Sequence, residues 1–125
     1  MKKIMIVDDV EISNFIMKKM ISKVSSNYDI YDYTLPEQAL TDIEKINPDI
    51  IFLDLNMPVI NGWEFLLRMT EMNVYNTVYI LTSSTSELDF QQSKSYNNVN
   101  GFLIKPLDIN TLREVLETLS NSQLK

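Results

Sequence analysis

The sequence predicts an α/β fold, a doubly wound five-stranded parallel sheet flanked by five helices. Three observations predict it. Short apolar runs, among them Ile4–Val7, Ile50–Leu53 and Val78–Leu81, alternate with longer amphipathic segments. The runs are apolar at nearly every position, as strands covered by helices on both faces must be. Charge follows three of these runs directly: Asp8-Asp9, Asp54, and Lys105 after Phe102–Ile104. If the strands are parallel, those charges gather at one edge of the sheet, where open α/β folds bind their ligands.

The first strand is predicted over Lys3–Asp8. The helix after it carries Ile12, Phe15, Ile16, Met20 and Val24 at helical spacing, and these form its expected core face. Tyr28–Tyr33 mixes polar and apolar positions, as a half-exposed edge strand does. Thr34 and Glu37 make a capping-box pattern around an early Pro36 and open the second helix. Ala39, Leu40, Ile43 and Ile46 share its face, and Asn47-Pro48 ends it. The third strand is predicted over Asp49–Asp54. Asn61 caps the third helix, with Phe65, Leu66, Met69 and Met72 facing inward.

The fourth strand covers Val78–Leu81 and ends at Thr82, with Ser84 and Glu87 expected to cap the helix beyond. The fifth strand is Phe102–Ile104, and the fifth helix sets Ile109, Leu112, Leu116 and Leu119 on one stripe. A polar tail follows Leu119, so a single domain spans 1–125 with an ordered core expected over about 2–120 and no linker or repeat. Right-handed crossovers and a polar second strand at the outside favour the order 2-1-3-4-5. That order puts the topological switch point between strands one and three, beside the aspartates.

Composition narrows the chemistry. A chain of 125 residues is one domain that buries about two thirds of its unfolded surface. A net charge of −6 argues against a nucleic-acid surface, which needs clustered Lys and Arg, and against anionic membranes. No apolar run reaches the ~18 residues of a membrane span, and the N-terminal run is too short for a signal peptide. The absence of Cys fits the cytoplasm. Without His or Cys there is no His-dependent triad, no thiol nucleophile and no ordinary zinc site. With only Gly62 and Gly101 there is neither a P-loop nor a dinucleotide fingerprint. Binding falls to carboxylate oxygens, which select Mg²⁺, Ca²⁺ or Mn²⁺.

Each of these residues has an ordinary reading alone: Asp8 and Asp9 as complements to a helix dipole, Asp54 as a turn residue, Lys105 as a solvated strand end, Thr82 as a cap. Together they describe something else. Carboxylates about 4–5 Å apart repel by roughly 3–4 kcal/mol per pair at an effective dielectric near 20. Mg²⁺ relieves that repulsion, since it takes one or two carboxylates and shares a phosphate oxygen. A carboxylate, a cation, an ammonium and a hydroxyl are the parts needed to transfer a phosphoryl group to an aspartate.

Val7-Asp8-Asp9, then Leu53-Asp54-Leu55-Asn56-Met57-Pro58 with Asn61-Gly62, then Leu81-Thr82-Ser83 and Gly101-Phe102-Leu103-Ile104-Lys105-Pro106 follow one another along the chain. On these motifs the sequence resembles the receiver domain of two-component response regulators, from residue 1 to about 120. The chemotaxis member of that family shows the flavodoxin-like order 2-1-3-4-5, so the resemblance also implies this order. It implies that Asp54 is the phosphoacceptor, attacking a phosphohistidine on a sensor histidine kinase or histidine phosphotransfer protein. It implies Mg²⁺ held by Asp9, Asp54 and the Asn56 backbone carbonyl, with Asp8 acting through water. Lys105 is then the phosphoryl contact, Thr82 the switch hydroxyl, and Phe102 either the switch aromatic or a core side chain. Asn56 and Ser84 lie where the family tunes phosphoryl lifetime, and the Lys105–Pro106 bond is commonly cis.

The expectation is a stand-alone cytoplasmic receiver with no output domain. It catalyses only its own phosphorylation and dephosphorylation, and binds neither nucleic acid nor membrane. Its downstream target docks on the fourth helix, fifth strand and fifth helix, over residues 87–96 and 109–119, and the chain is a monomer or weak dimer. The enzyme alternative is an aspartyl-phosphate phosphatase resembling the haloacid dehalogenase group. Those enzymes place a general acid two residues after the nucleophile, where this chain has Asn56.

Overall fold

The computed structural model describes residues 1–123, and the side chains of residues 1–119. Strands and helices alternate throughout: β1 (Lys2–Val7), α1 (Glu11–Val24), β2 (Tyr28–Tyr33), α2 (Pro36–Ile46), β3 (Ile50–Leu53), α3 (Gly62–Glu71), β4 (Val78–Thr82), α4 (Glu87–Ser93), β5 (Val99–Ile104) and α5 (Ile109–Gln123). The strands form one parallel sheet in the order β2-β1-β3-β4-β5, as expected. Successive strand residues point to opposite faces, so each strand serves two cores. Met5, Val7, Ile51, Leu53 and Ile80 meet Ala39, Leu40 and Ile43 of α2 and Phe65, Leu66 and Met69 of α3. Ile4, Ile6, Phe52 and Leu81 meet Met17 and Ile21 of α1 and Leu112, Val115 and Leu116 of α5. The edge strand β2 has no fully buried residue.

Several local expectations are corrected. On α1 the buried positions are Asn14, Met17 and Ile21, whereas Ile12, Phe15 and Ile16 are 60, 51 and 52% exposed. This helix carries two apolar stripes, and the one that meets the sheet and α5 includes Met17 and Ile21, with Met20 and Val24 at its margin. At α2 the capping box fails: the N-cap is Leu35, without a side-chain bond, and Pro36 begins the helix. Proline's fixed φ suits the first helical position, which shifts the start past Thr34. The cap of α4 is Ser86, whose Oγ accepts from the Asp89 N–H at 3.3 Å, not Ser84. Met72 is the C-cap of α3 and 37% exposed, because the buried stripe ends at Met69.

At the other end of the sheet, β5 starts three residues earlier than predicted. Its N-terminal half, Val99-Asn100-Gly101, is not a continuous apolar run, and this edge strand is only partly covered. A Cβ on Gly101 would stand 2.7 Å from the Tyr79 ring, beside the register break between Val78 and Tyr79. Helix α5 runs on to Gln123, beyond the expected core limit of 120, since adding residues to a formed helix is easier than starting one.

Two contacts tie this scaffold to the strand ends. Asn61 caps α3, its Oδ1 accepting from the Glu64 N–H at 2.9 Å as the sequence indicates. Gly62 then donates its N–H to the Leu55 carbonyl at 3.0 Å. A Cβ there would lie 2.7 Å from the Asp54 carbonyl oxygen and 2.8 Å from the Leu55 Cα, both backbone atoms that cannot swing aside. Gly62→Ala is expected to push the Asp54–Asn56 loop outward and lower stability by about 1–3 kcal/mol, the usual cost of overpacking, as read by urea denaturation. An unchanged midpoint would show that α3 and the loop are not rigidly coupled.

Candidate functional site

Asp8 and Asp9 follow β1, Asp54 follows β3, Thr82 closes β4 and Lys105 follows β5, so all five lie at the carboxyl edge of the sheet. The sheet ladder itself fixes two of them: Asp8 donates its N–H to Tyr33 O at 3.1 Å, and Asp54 its N–H to Val7 O at 3.0 Å. Lys105 N–H donates to the Thr82 carbonyl at 2.8 Å, and the Lys105–Pro106 peptide is cis. The Lys105 ammonium reaches across the edge to Asp8 Oδ2 at 2.6 Å and Asp54 Oδ2 at 3.7 Å. The remaining oxygens accept from backbone: Asp8 Oδ1 from Val10 N–H at 2.9 Å, and Asp54 Oδ1 from Asn56 N–H at 3.3 Å.

Asp8, Asp9 and Asp54 each offer an oxygen within 4.8 Å of the others. Among the described residues one ammonium faces these three carboxylates, hydrogen-bonded to Asp8 and ion-paired with Asp54. Asp9 Oδ1 is buried with no hydrogen-bond partner among the described residues. Burial pushes the Asp54 carboxyl above the usual range. Lys105 and the Asn56 N–H work against that rise, while Asp8 and Asp9 add to it. An all-oxygen set with an orphaned buried carboxylate oxygen fits a hard divalent cation, Mg²⁺ above all.

Around this cluster the structure adds contacts the motifs do not reveal. The Thr82 hydroxyl is fully buried and accepts from Asn56 Nδ2 at 3.3 Å and from the Ser84 N–H at 3.2 Å. Ser84 Oγ in turn donates to Asp89 of α4 at 2.6 Å. Phe102 is half-buried, its ring edge-on to Phe90 of α4 with centroids 5.7 Å apart. Sequence reasoning missed Asn14, which is fully buried in α1 and donates to the Asp8 and Tyr33 carbonyls. A signal was present: Asn14, Met17 and Ile21 stand at i, i+3 and i+7, so a polar residue interrupts one of the two apolar stripes.

Fold and site define a flavodoxin-like α/β domain with an acidic, lysine-bearing strand edge. A family model described as the response regulator receiver domain matches residues 4–117. Sporulation initiation phosphotransferase F of Bacillus subtilis (strain 168) is 32% identical, over 93% of this chain and 91% of its own length. The hybrid signal transduction histidine kinase C of Dictyostelium discoideum is 30% identical over 98% of this chain, which spans 11% of that protein. The Vibrio cholerae chemotaxis protein CheY4 superposes with a TM-score of 0.79 at 28% identity, covering 94% of this chain and 98% of its own. The chain belongs to the response regulator receiver domain family, the receivers of two-component systems, in which accepting a phosphoryl group is the general role.

The electrostatics of Asp54 predict a pH dependence. Its folded pKa lies above the unfolded value, so the native state holds this proton more tightly than the unfolded chain. The ionised carboxylate therefore costs stability above the folded pKa, and the cost fades as pH falls through it toward the ordinary value of 3.8. In Mg²⁺-free buffer Asp54→Asn is expected to melt higher than the native chain at neutral pH, with the gap closing on acidification. Calorimetry across that range checks it, and a variant that melts lower at neutral pH would mean the Lys105 pairing outweighs burial.

Proposed function

We propose that this chain takes a phosphoryl group from a phosphohistidine of a partner protein onto Asp54 and changes its α4-β5-α5 surface in response. The observation that carries the reading is the meeting of Asp8, Asp9, Thr82 and Lys105 around one buried aspartate at the switch point. An Asp54 carboxylate oxygen attacks phosphorus; the P–O bond forms as the P–N bond breaks, and the electron pair leaves with the imidazole. Lys105, already beside Asp54, meets the arriving phosphoryl oxygens with its ammonium. Asp9, Asp54 and the Asn56 backbone carbonyl would hold Mg²⁺, with Asp8 acting through water, and the ion would draw charge from the phosphoryl group during transfer. Asp8 suits the indirect role because Lys105 and the Val10 N–H already engage both its oxygens. The protein's only chemistry in this reading is on itself: water later attacks phosphorus and Asp54 departs as carboxylate.

The exposed stripe of α1 supports a protein donor. Val10, Ile12, Phe15 and Ile16, at 45, 60, 51 and 52% exposure, flank the acidic edge. Beside them a cavity of about 300 Å³ opens between α1 and the β5–α5 loop, with Met17, Phe52, Leu81 and Leu107 in its lining and Asp54 and Lys105 among its walls. A donor helix presenting apolar side chains next to its phosphohistidine matches that surface. The relatives named above as a phosphotransferase and a hybrid histidine kinase support a histidine kinase or phosphotransfer protein as the donor.

On the output side, phosphorylation adds negative charge near Thr82 and draws its hydroxyl away from Asn56 Nδ2 and the Ser84 N–H. Because Ser84 is bonded to Asp89, that shift reaches α4 directly. Phe102 then repacks against Phe90, altering a face that exposes Leu88, Phe90 and Ile104 at 81, 38 and 41% to a downstream target.

Incubation with Mg²⁺ and phosphoramidate followed by intact mass measurement is expected to reveal a labile phosphoryl adduct. It should be missing from Asp54→Asn and from samples given EDTA beforehand. An adduct that survives in Asp54→Asn would remove Asp54 from its role. For the donor face, Phe15→Ser is expected to slow transfer from a phosphorylated histidine phosphotransfer protein at least tenfold relative to labelling by phosphoramidate. Equal slowing of both reactions would place Phe15 in the fold rather than the docking surface.

A further inference from the structure

We infer that Asn14 is a positioning residue for the cation site, fixing the Asp8–Asp9 peptide and through it the direction of the Asp9 carboxylate. The inference rests on reading the Asp8-Asp9-Asp54 cluster as a Mg²⁺ site. Asn14 is fully buried in the first turn of α1, in the stripe it shares with Met17 and Ile21. Its Nδ2 donates to the Asp8 carbonyl at 3.0 Å and to the Tyr33 carbonyl at 3.2 Å. Both amide hydrogens are thereby engaged, and the opposite orientation would set the amide oxygen against two carbonyl oxygens. Oδ1 is left buried without a partner among the described residues. An apolar side chain would fill the same stripe without that orphaned oxygen, so the amide is there for its donors.

Those donors act on a particular peptide. The Asp8 C=O and the Asp9 N–H belong to one planar unit, so holding the carbonyl fixes the plane from which Asp9 departs. Every polar group of Asp8 is then tied down: its N–H by Tyr33 O, its C=O by Asn14, and its carboxylate oxygens by the Val10 N–H and Lys105. Asp9 differs, because its Oδ1 meets no partner among the described residues. What directs this carboxylate toward Asp54 is the backbone behind it. The α1 N-cap, Val10, has no side-chain cap bond, so Asn14 is the side chain of the helix that anchors this loop.

The test is a Mg²⁺ titration of the full chain followed by the NMR amide signals of residues 8, 9 and 54, with urea denaturation in Mg²⁺-free buffer alongside. Asn14→Leu keeps the branched shape at a larger volume and removes the donors, and Asn14→Ala serves if the leucine variant does not fold. Either is expected to raise the Mg²⁺ dissociation constant about ten- to a hundred-fold, the usual effect of losing a group that orients a metal ligand. Ile21→Ala, two turns further along the same stripe, is expected to lower the urea midpoint while leaving that constant within twofold of the native chain. Native Mg²⁺ affinity in a folded Asn14 variant would overturn the inference alone. So would an equal loss of affinity in Ile21→Ala, which would make Asn14 merely structural. No Mg²⁺ binding by the native chain at millimolar concentration would overturn the cation-site reading and this inference with it.

Discussion

Everything at the acidic edge of this protein depends on holding oxygens of three carboxylates within 4.8 Å of one another beside the Lys105 ammonium. Like charges at that spacing repel by about 3–4 kcal/mol per pair at an effective dielectric near 20. No fold gains from this, so the surrounding structure must impose it. Parallel strands do so by topology: β1 and β3 are neighbours, and ladder bonds run from Asp8 N–H to Tyr33 O and from Asp54 N–H to Val7 O. Lys105 comes from the far end of the sheet, 97 residues from Asp8, and the Thr82 carbonyl holds its backbone in place. The strain is therefore carried by the best-packed part of the molecule, where β1, β3 and β4 are almost wholly buried.

The two sides of the sheet serve different ends. On one side α1 and α5 close over Ile4, Ile6, Phe52 and Leu81, leaving a second apolar stripe of α1 in solvent next to the acids. On the other, α3 begins at Gly62 in direct contact with the Asp54 loop, and α4 is tied to Thr82 through Ser84 and Asp89. In the proposed function the first side would receive the donor and the second would respond, with Asp54 at the strand edge between them.

The strands were legible because an apolar run flanked by helical patterns has few alternatives. The acidic edge was legible because strand ends are points in sequence, and charges placed directly after three apolar runs share one edge once the strands are parallel. Burial on α1 was harder to read, since Ile12-Phe15-Ile16 and Met17-Ile21 are equally apolar at helical spacing. The caps of α2 and α4 were displaced by one and two residues, because several Ser, Thr and Pro residues compete to begin each helix. The N-terminal half of β5 was hidden by Asn100, a polar residue that an edge strand tolerates, and by Gly101.

The sequence alone determined the fold class through local periodicity, favoured the strand order through its polar second strand and the receiver resemblance, and placed Asp8, Asp9, Asp54, Thr82 and Lys105 at strand ends. Only the tertiary structure decided which stripe of α1 is covered, that Asn14 grips the Asp8 carbonyl, that Lys105 bonds Asp8 more closely than Asp54, and that Asp9 is left with an orphaned oxygen. The reason is physical. Periodicity records what a residue can do along its own element, whereas burial and pairing depend on which neighbours arrive from elsewhere in the chain, and at this edge they come from as far as 97 residues away.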